Sequence, residues 1–310
     1  MALAIVAGAG GAIGQHVAEQ LSAAGWRVAG LGHGPTEWAG ARPIDHWLAG
    51  DVSPANLSAL ADQAGPAELV INLAGGSAVG PSVRDPAGDF ARTVTTSINI
   101  LDFIRTRSPG AKLVAASSAA VYGDQHRGPI AEDAALNPIS PYGHHKLLME
   151  QSLAFWGQAF GVSTAIVRLF SVYGVGLRKQ MIFDLCTRLS AAPDQLEIWG
   201  TGAETRDWIS IHDAARLLIE IAPYASTRSP IFNGCTGQAR TVGEMARLLA
   251  GAWGRGSQIT FDGIVRPGDP QNLVGSAERL NAIGFAPRVS LEQGLHEVVA
   301  DAKLQIRRGL

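Results

Sequence analysis

Short runs that are apolar at every position alternate, through the first half of the chain, with stretches whose apolar residues recur every three or four positions. Leu3–Ala7 is the first such run, the pattern expected of a parallel strand buried on both faces. Past a glycine-rich break, Ile13, Val17 and Leu21 fall at i, i+4 and i+8, with Ala18 and Ala24 beside them. This spacing predicts a helix with one face on a core, ended by Gly25. Residues 27–31 predict a second strand. Further on, 47–52 reads as strand-like, 57–64 as helix, and 68–74 as a buried strand running into Gly75-Gly76. Residues 89–107 carry helical periodicity through Phe90, Val94, Ile98, Leu101 and Ile104, and 112–116 is again strand. Strand and helix in strict turn predict an α/β fold, a doubly wound parallel sheet with helices on both faces.

Ligands of such open sheets collect beyond the carboxyl ends of the strands. Asp51, Val52, Ala74, Gly75, Ser117 and Ser118 all fall at those ends. The first of these ends is the most informative. Gly8-x-x-Gly11-x-x-Gly14 lies between the first strand and the first helix, where exposed amides favour a pyrophosphate and missing side chains let the backbone approach it. Gly8, Gly11, Ala12, Ile13 and Gly14 are the candidate dinucleotide loop, with Leu73, Ala74 and Gly75 on the next strand end.

Composition narrows the remaining classes. The 310 residues are 46% apolar and 17% charged, which is globular rather than disordered, and enough for one large domain or two ordinary ones. A formal net charge of −2 gives no general attraction to nucleic acid or to an anionic membrane. Two cysteines are too few for a disulfide framework or a metal cluster, so no metal is expected. The opening Met1-Ala-Leu-Ala-Ile-Val has no basic segment before its apolar run, and no apolar stretch reaches the ~20 residues of a membrane span. A cytoplasmic protein is expected.

The candidate chemistry follows the fifth strand. Ser117-Ser-Ala-Ala-Val-Tyr-Gly123 is succeeded by Ser140-Pro-Tyr-Gly-His-His-Lys146, with a helix expected to begin at Pro141. Tyr142 and Lys146 then share one helix face. A free tyrosine, with a pKa of about 10, is a poor base at neutral pH. A nearby lysine and the positive nicotinamide ring are expected to favour phenolate, and Lys146 to hold the nicotinamide ribose. Ser118 is expected to hydrogen-bond the substrate oxygen. His144 and His145 fall on other faces of that helix and are expected to meet solvent or a partner.

In this order the segments resemble the extended short-chain dehydrogenase/reductase family, the NAD-dependent epimerases and dehydratases of nucleotide sugars. Further markers are Asn72-Leu-Ala-Gly75, Arg168-Leu-Phe-Ser-Val-Tyr-Gly174, Gly200-x-Gly-x-x-x-Arg-Asp207 and Arg266-Pro-Gly-Asp269. The resemblance implies a Rossmann-type NAD(P)-binding domain over 1–170, joined again by part of about 201–225. It also implies a smaller nucleotide-sugar-binding lobe over 171–310. Arg206, Arg266 and Asp269 are expected on the substrate nucleotide, since guanidinium forks suit a diphosphate and an aspartate suits a ribose diol. Ser171 stands where relatives often carry an asparagine near the diphosphate, and Thr93 where they often carry one near the cofactor. A homodimer through the helices at 89–107 and 147–160 is implied as well.

Three reactions use this machinery. The dehydratases carry an Asp-Glu pair after the serine or threonine, and here those positions are Ala119 and Ala120. A C4 epimerase is therefore the expected activity, with an NADPH-dependent 4-keto-6-deoxy nucleotide-sugar reductase as the alternative. A non-catalytic dinucleotide sensor is a third reading, disfavoured because both Tyr142 and Lys146 are kept. The second strand ends in Gly32-His33-Gly34 rather than the acidic residue that binds the NAD ribose, so His33 is a candidate adenosine contact and the choice of NAD or NADP(H) stays open.

Overall fold

The computed structural model describes residues 1–34, 43–191, 195–254, 256–265 and 270–307. Its first half follows the predicted alternation: β1 (Leu3–Ala7), α1 (Ala12–Ala23), β2 (Arg27–Gly32), β3 (His46–Ala49), α2 (Pro54–Ala64) and β4 (Leu69–Asn72). Then come α3 (Val79–Arg84), α4 (Pro86–Phe90), α5 (Thr96–Arg107), β5 (Lys112–Ser118), α6 (Pro141–Phe160) and β6 (Thr164–Leu169). The second half holds β7 (Ser171–Tyr173), α7 (Gln180–Ser190), β8 (Gln195–Ile198), β9 (Thr205–Ser210), α8 (Ile211–Glu220) and β10 (Ile231–Gly234). It ends with β11 (Ala239–Thr241), α9 (Val242–Trp253), β12 (Gln258–Phe261), β13 (Asn272–Leu273), α10 (Glu278–Ala282) and α11 (Leu291–Arg307).

Among the described residues the main sheet has seven strands in the order β10-β6-β5-β4-β1-β2-β3. The pairs β1–β2, β1–β4, β2–β3, β4–β5 and β5–β6 are all parallel. This is the doubly wound order, in which the chain starts at the centre, winds to one edge, and returns to wind toward the other. The central strands β1 and β4 are buried at every residue, which is why they read as unbroken apolar runs. Val17, Ala18 and Leu21 of α1 are buried as the stripe predicts. On one face of the sheet, Leu57 and Leu60 of α2, Ile100, Leu101 and Ile104 of α5, and Met149 and Leu153 of α6 share a core with Ile5, Val70 and Leu113.

The chain divides into two compact units. The first is Met1–Gly123, Ala135–Leu169 and Ala214–Asn233; the second is Asp124–Ala134, Phe170–Asp213 and Gly234–Leu310. The returning segment, 214–233, overlaps the part of about 201–225 read from sequence, while β9 pairs with β7, β11 and β13 in the second unit. The second unit has its own core, with Leu185, Leu189, Leu196, Met245, Leu249 and Val298. Its α9 begins with a capping box between Thr241 and Glu244. No helix among the described residues is long and apolar enough to cross a membrane.

Several predicted bounds move. The helix read over 89–107 is broken into α4, a π-helical turn at Ala91–Thr95, and α5. Within that turn Thr93 is buried and its hydroxyl accepts the Gly76 N–H at 2.9 Å, a tertiary contact that the apolar period does not show. β5 runs on through Ser117 and Ser118 instead of stopping at 116. Arg206 lies within β9, which opens at Thr205.

A buried ion pair binds β6 to α6. Arg168 and Glu150 are 2% and 4% exposed, and the guanidinium donates Nη2 to Glu150 Oε2 at 2.7 Å and Nε to Oε1 at 3.0 Å. Ser117 donates to the same Oε1 at 2.5 Å, and Arg168 Nη1 donates to the Tyr122 hydroxyl, which donates to Asn233. Burial presses the Arg168 guanidinium down, but Glu150 and Tyr122 more than reverse that, so it stays charged. Removing one partner leaves the other charge buried and alone. Glu150→Leu is expected to cost about 3–5 kcal/mol in urea denaturation; a loss under about 1 kcal/mol, the range of exposed pairs, would contradict a load shared by this network.

Candidate active site

The glycine loop folds as its composition demands. Gly8 has φ +86°, in the left-handed region that favours glycine, and a Cβ there would come within 2.8 Å of Ala74 N. A Cβ on Gly14 would overlap Gly8 O, so the first turn of α1 can lie on the loop only as glycine. Gly10, absent from the spacing read in the sequence, is equally constrained, its Cβ position being filled by His33 O. The run Gly10-Gly11 was its only signal. The N-cap of α1 is Gly11, and no side chain caps the helix. Uncapped first-turn amides behind a glycine turn form a cradle for an anion, and a dinucleotide pyrophosphate fits it.

The other sheet-end candidates lie in the same unit. Asp51 follows β3, and its Oδ1 meets His33 Nε2 at 2.9 Å, both side chains largely exposed. Val52 is buried and its carbonyl accepts from Asn99. Leu73 N–H donates to Ala7 O, joining the end of β4 to β1, and Ala74 N–H is held by the Asn72 side chain. Gly75 stands close to Thr93 and Lys146, which would lie 3.3 and 3.5 Å from a Cβ there.

Tyr142 and Lys146 occupy the first turns of α6. That helix starts where it does because Ser140 caps it, accepting the Gly143 N–H at 3.2 Å, and Pro141 supplies the first helical position. The Tyr142 N–H is taken by Ser82 Oγ at 3.0 Å, a contact with α3 that sequence reading missed. Ser118, the last residue of β5, is hydrogen-bonded to the Tyr142 phenol, and its Oγ also accepts the Ala120 N–H. Lys146, 5% exposed, donates to Ala116 O at 2.9 Å and stands 5.9 Å from the centre of the Tyr142 ring.

The electrostatics differ from expectation. Burial pushes the Tyr142 phenol up from the usual tyrosine range; the Ser118 hydrogen bond pulls it down and the Asp89 charge adds to the rise. Lys146 by itself does not turn the tyrosine into a phenolate. Burial lowers Lys146 to about 8, with Asp89 and Glu150 opposing. His145 also departs from the predicted solvent-facing position. It is largely buried and its Nδ1 donates to Asp89 at 2.6 Å, whereas His144 is exposed as expected.

In the second unit, Ser171 and Arg206 line one cavity of about 810 Å³, together with Lys179, Trp199, Glu204 and Trp208. Arg206 Nη1 donates to Thr205 O at 2.9 Å. Trp208 Nε1 and Glu204 Oε2 are buried with no hydrogen-bond partner. Arg266 and Asp269 lie outside the described residues. No cluster of three metal-ligating side chains occurs among the described residues.

A doubly wound sheet with a glycine cradle on its first turn, and a Ser-Tyr-Lys group on its fifth strand and sixth helix, defines a dinucleotide-binding oxidoreductase. The model of the NAD dependent epimerase/dehydratase family matches residues 4–233, and the chain belongs to that family. It is 31% identical over 307 residues to a UDP-glucose 4-epimerase of Azospirillum brasilense, covering 92% of this chain and 87% of that protein. A GDP-6-deoxy-D-mannose reductase of Pseudomonas aeruginosa is 26% identical over 250 residues, covering 77% and 82%. The structure of a Thermus thermophilus UDP-glucose 4-epimerase in complex with NAD superposes with a TM-score of 0.87 at 25% identity, covering 97% of this chain and 99% of that one.

The loop geometry yields a direct test. Gly14→Val would force the first turn of α1 off the loop. The NAD⁺ dissociation constant is expected to rise at least about tenfold, the equivalent of ~1.4 kcal/mol. Unchanged NAD⁺ affinity by calorimetry would remove the loop from the cofactor site.

Proposed function

We propose that the protein is an NAD-dependent C4 epimerase of a UDP-sugar, with UDP-glucose and UDP-galactose the first pair to test. The observation that carries the reading is the Ser118-Tyr142-Lys146 group on a chain 31% identical, over 92% of its length, to a UDP-glucose 4-epimerase. Ala119 and Ala120 supply no carboxylate for removing water. When bound, the oxidised nicotinamide supplies a hydride acceptor at the sugar carbon and a positive charge near the phenol.

The chain's own groups do the rest. Gly8, Gly11, Ala12, Ile13 and Gly14 hold the pyrophosphate, His33, Asp51 and Val52 the adenosine side, and Leu73, Ala74, Gly75 and Ser117 the nicotinamide side. Tyr142 Oη takes the proton of the sugar C4 hydroxyl during oxidation and returns it during reduction. Ser118 donates a hydrogen bond to that same oxygen. Lys146 holds the ribose and offsets negative charge on the phenol. In the second unit, Arg206 and Ser171 are assigned to the diphosphate, and Arg266 and Asp269 to the nucleotide. We read the protein as cytoplasmic, consistent with its two unpaired cysteines, Cys186 and Cys235.

The reductase reading is favoured by one observation: β2 is followed by His33 where an acidic residue usually binds the NAD ribose, with the Asp51 carboxylate paired to that histidine. Denaturing the purified protein and identifying the released nucleotide separates the two. Near-stoichiometric NAD⁺ or NADH is expected. An empty protein that binds NADPH and does not interconvert UDP-glucose and UDP-galactose would overturn the epimerase. In Tyr142→Phe, turnover is expected to fall about 10²–10⁴-fold with NAD⁺ still bound; full activity would sink the mechanism.

A homodimer fits the exposed apolar side chains of α6, of which Phe155 is 60% exposed and Phe160 49%. Sedimentation equilibrium is expected to give twice the chain mass. A monomer at micromolar concentration would contradict it.

A further inference from the structure

One buried pair beside the reacting groups has no part in the chemistry above. Asp89 of α4 is 1% exposed and receives His145 Nδ1–H at 2.6 Å, while Phe90 meets the imidazole edge-on at 5.5 Å between ring centres. His145 stands three residues past Tyr142 and directly before Lys146. The loop after β4 packs on the same carboxylate, for a Cβ on Gly76 would overlap Asp89 Oδ1. The Asp89 charge acts on both neighbours, favouring the protonated form of Tyr142 and of Lys146.

We propose that His145 is a positioning residue for Tyr142 and Lys146, holding the buried Asp89 carboxylate by a donated hydrogen bond and weakening its field at the phenol. A buried carboxylate needs donors, and one left unpaired acts at long range in a low dielectric. The other ionisable groups nearby are engaged elsewhere. Glu150, a turn beyond Lys146 on α6, is bound to Arg168. Asp85 and Arg92 pair with each other on either side of α4, and Asp102 with Arg105 on α5. Arg84 of α3 and His144 are exposed. The chain therefore tunes its phenol through a side chain on the same helix.

The inference rests on the hydride-transfer reading for its role in turnover, but its test does not. His145→Ala removes the donor, and His145→Gln keeps a neutral one should the alanine variant fail to fold. The probe is the tyrosinate absorbance of NAD⁺-saturated protein, titrated with base, less that of the matching Tyr142→Phe protein. The Tyr142 midpoint is expected to move up by about one pH unit in His145→Ala and by less in His145→Gln. Adding Asp89→Asn is expected to cancel the shift. A midpoint that stays in place, or a shift that persists with Asp89→Asn, overturns the proposal. With UDP-glucose as substrate, the rate is expected to fall about tenfold below the midpoint and to recover as pH rises. A shifted midpoint in a protein that never turns over UDP-glucose would uphold His145 and sink the epimerase reading instead.

Discussion

The buried Arg168–Glu150 pair is the constraint on which the site depends. Glu150 lies eight residues past Tyr142 and four past Lys146 on α6, so it stands behind them on one helix. It is held by Arg168 of β6 and by Ser117, the neighbour of Ser118 at the end of β5. One carboxylate thus fixes the helix that carries Tyr142 and Lys146 against the strand that carries Ser118. Tyr122 and Asn233 extend the same network to the turn after β5 and to β10. Burying two charges carries a desolvation penalty that well-packed apolar residues would avoid. What the pair supplies here is register, since an apolar contact could slide where a forked, doubly donated one cannot.

Catalysis by tyrosine requires the phenol to be poised, and the surroundings of Tyr142 work against ionisation before any ligand contributes. Burial and Asp89 both hold the proton on, and only Ser118 draws the other way. The phenol is therefore set to respond to added positive charge, which the oxidised nicotinamide carries and the reduced one does not. In the proposed reaction, proton transfer would thereby be coupled to the redox state of the bound cofactor. Lys146, lowered to about 8 and anchored on Ala116 O, is fixed in place rather than free to follow the phenol. Such fixed groups need little reorganisation during reaction.

What the sequence disclosed was local. Leu3–Ala7, the glycines after it and the i, i+4 relation of Tyr142 to Lys146 are each set by spacing within one element, and the structure holds them where spacing puts them. What it hid was made by contacts between distant segments. The π-helical turn carries Thr93, which is bonded to Gly76, a contact that helical periodicity cannot register. His145 looked like a surface residue because its partner, Asp89, is 56 positions away and on another helix. Gly10 is required by the approach of His33 O, just past the end of β2, a distance no linear spacing encodes. Arg206 lies within a strand, Thr205–Ser210, that pairs on both sides and carries its polar residues into the sheet.

The central claim is that one retained cofactor removes and returns a hydride at a single sugar carbon while Tyr142 handles the proton. The most direct measurement follows the label of UDP-galactose deuterated at C4, incubated with the protein in ordinary water containing excess unlabelled NADH. The account predicts UDP-glucose that keeps its deuterium at C4. Deuterium lost to the free nucleotide pool, or no UDP-glucose at all, would contradict it.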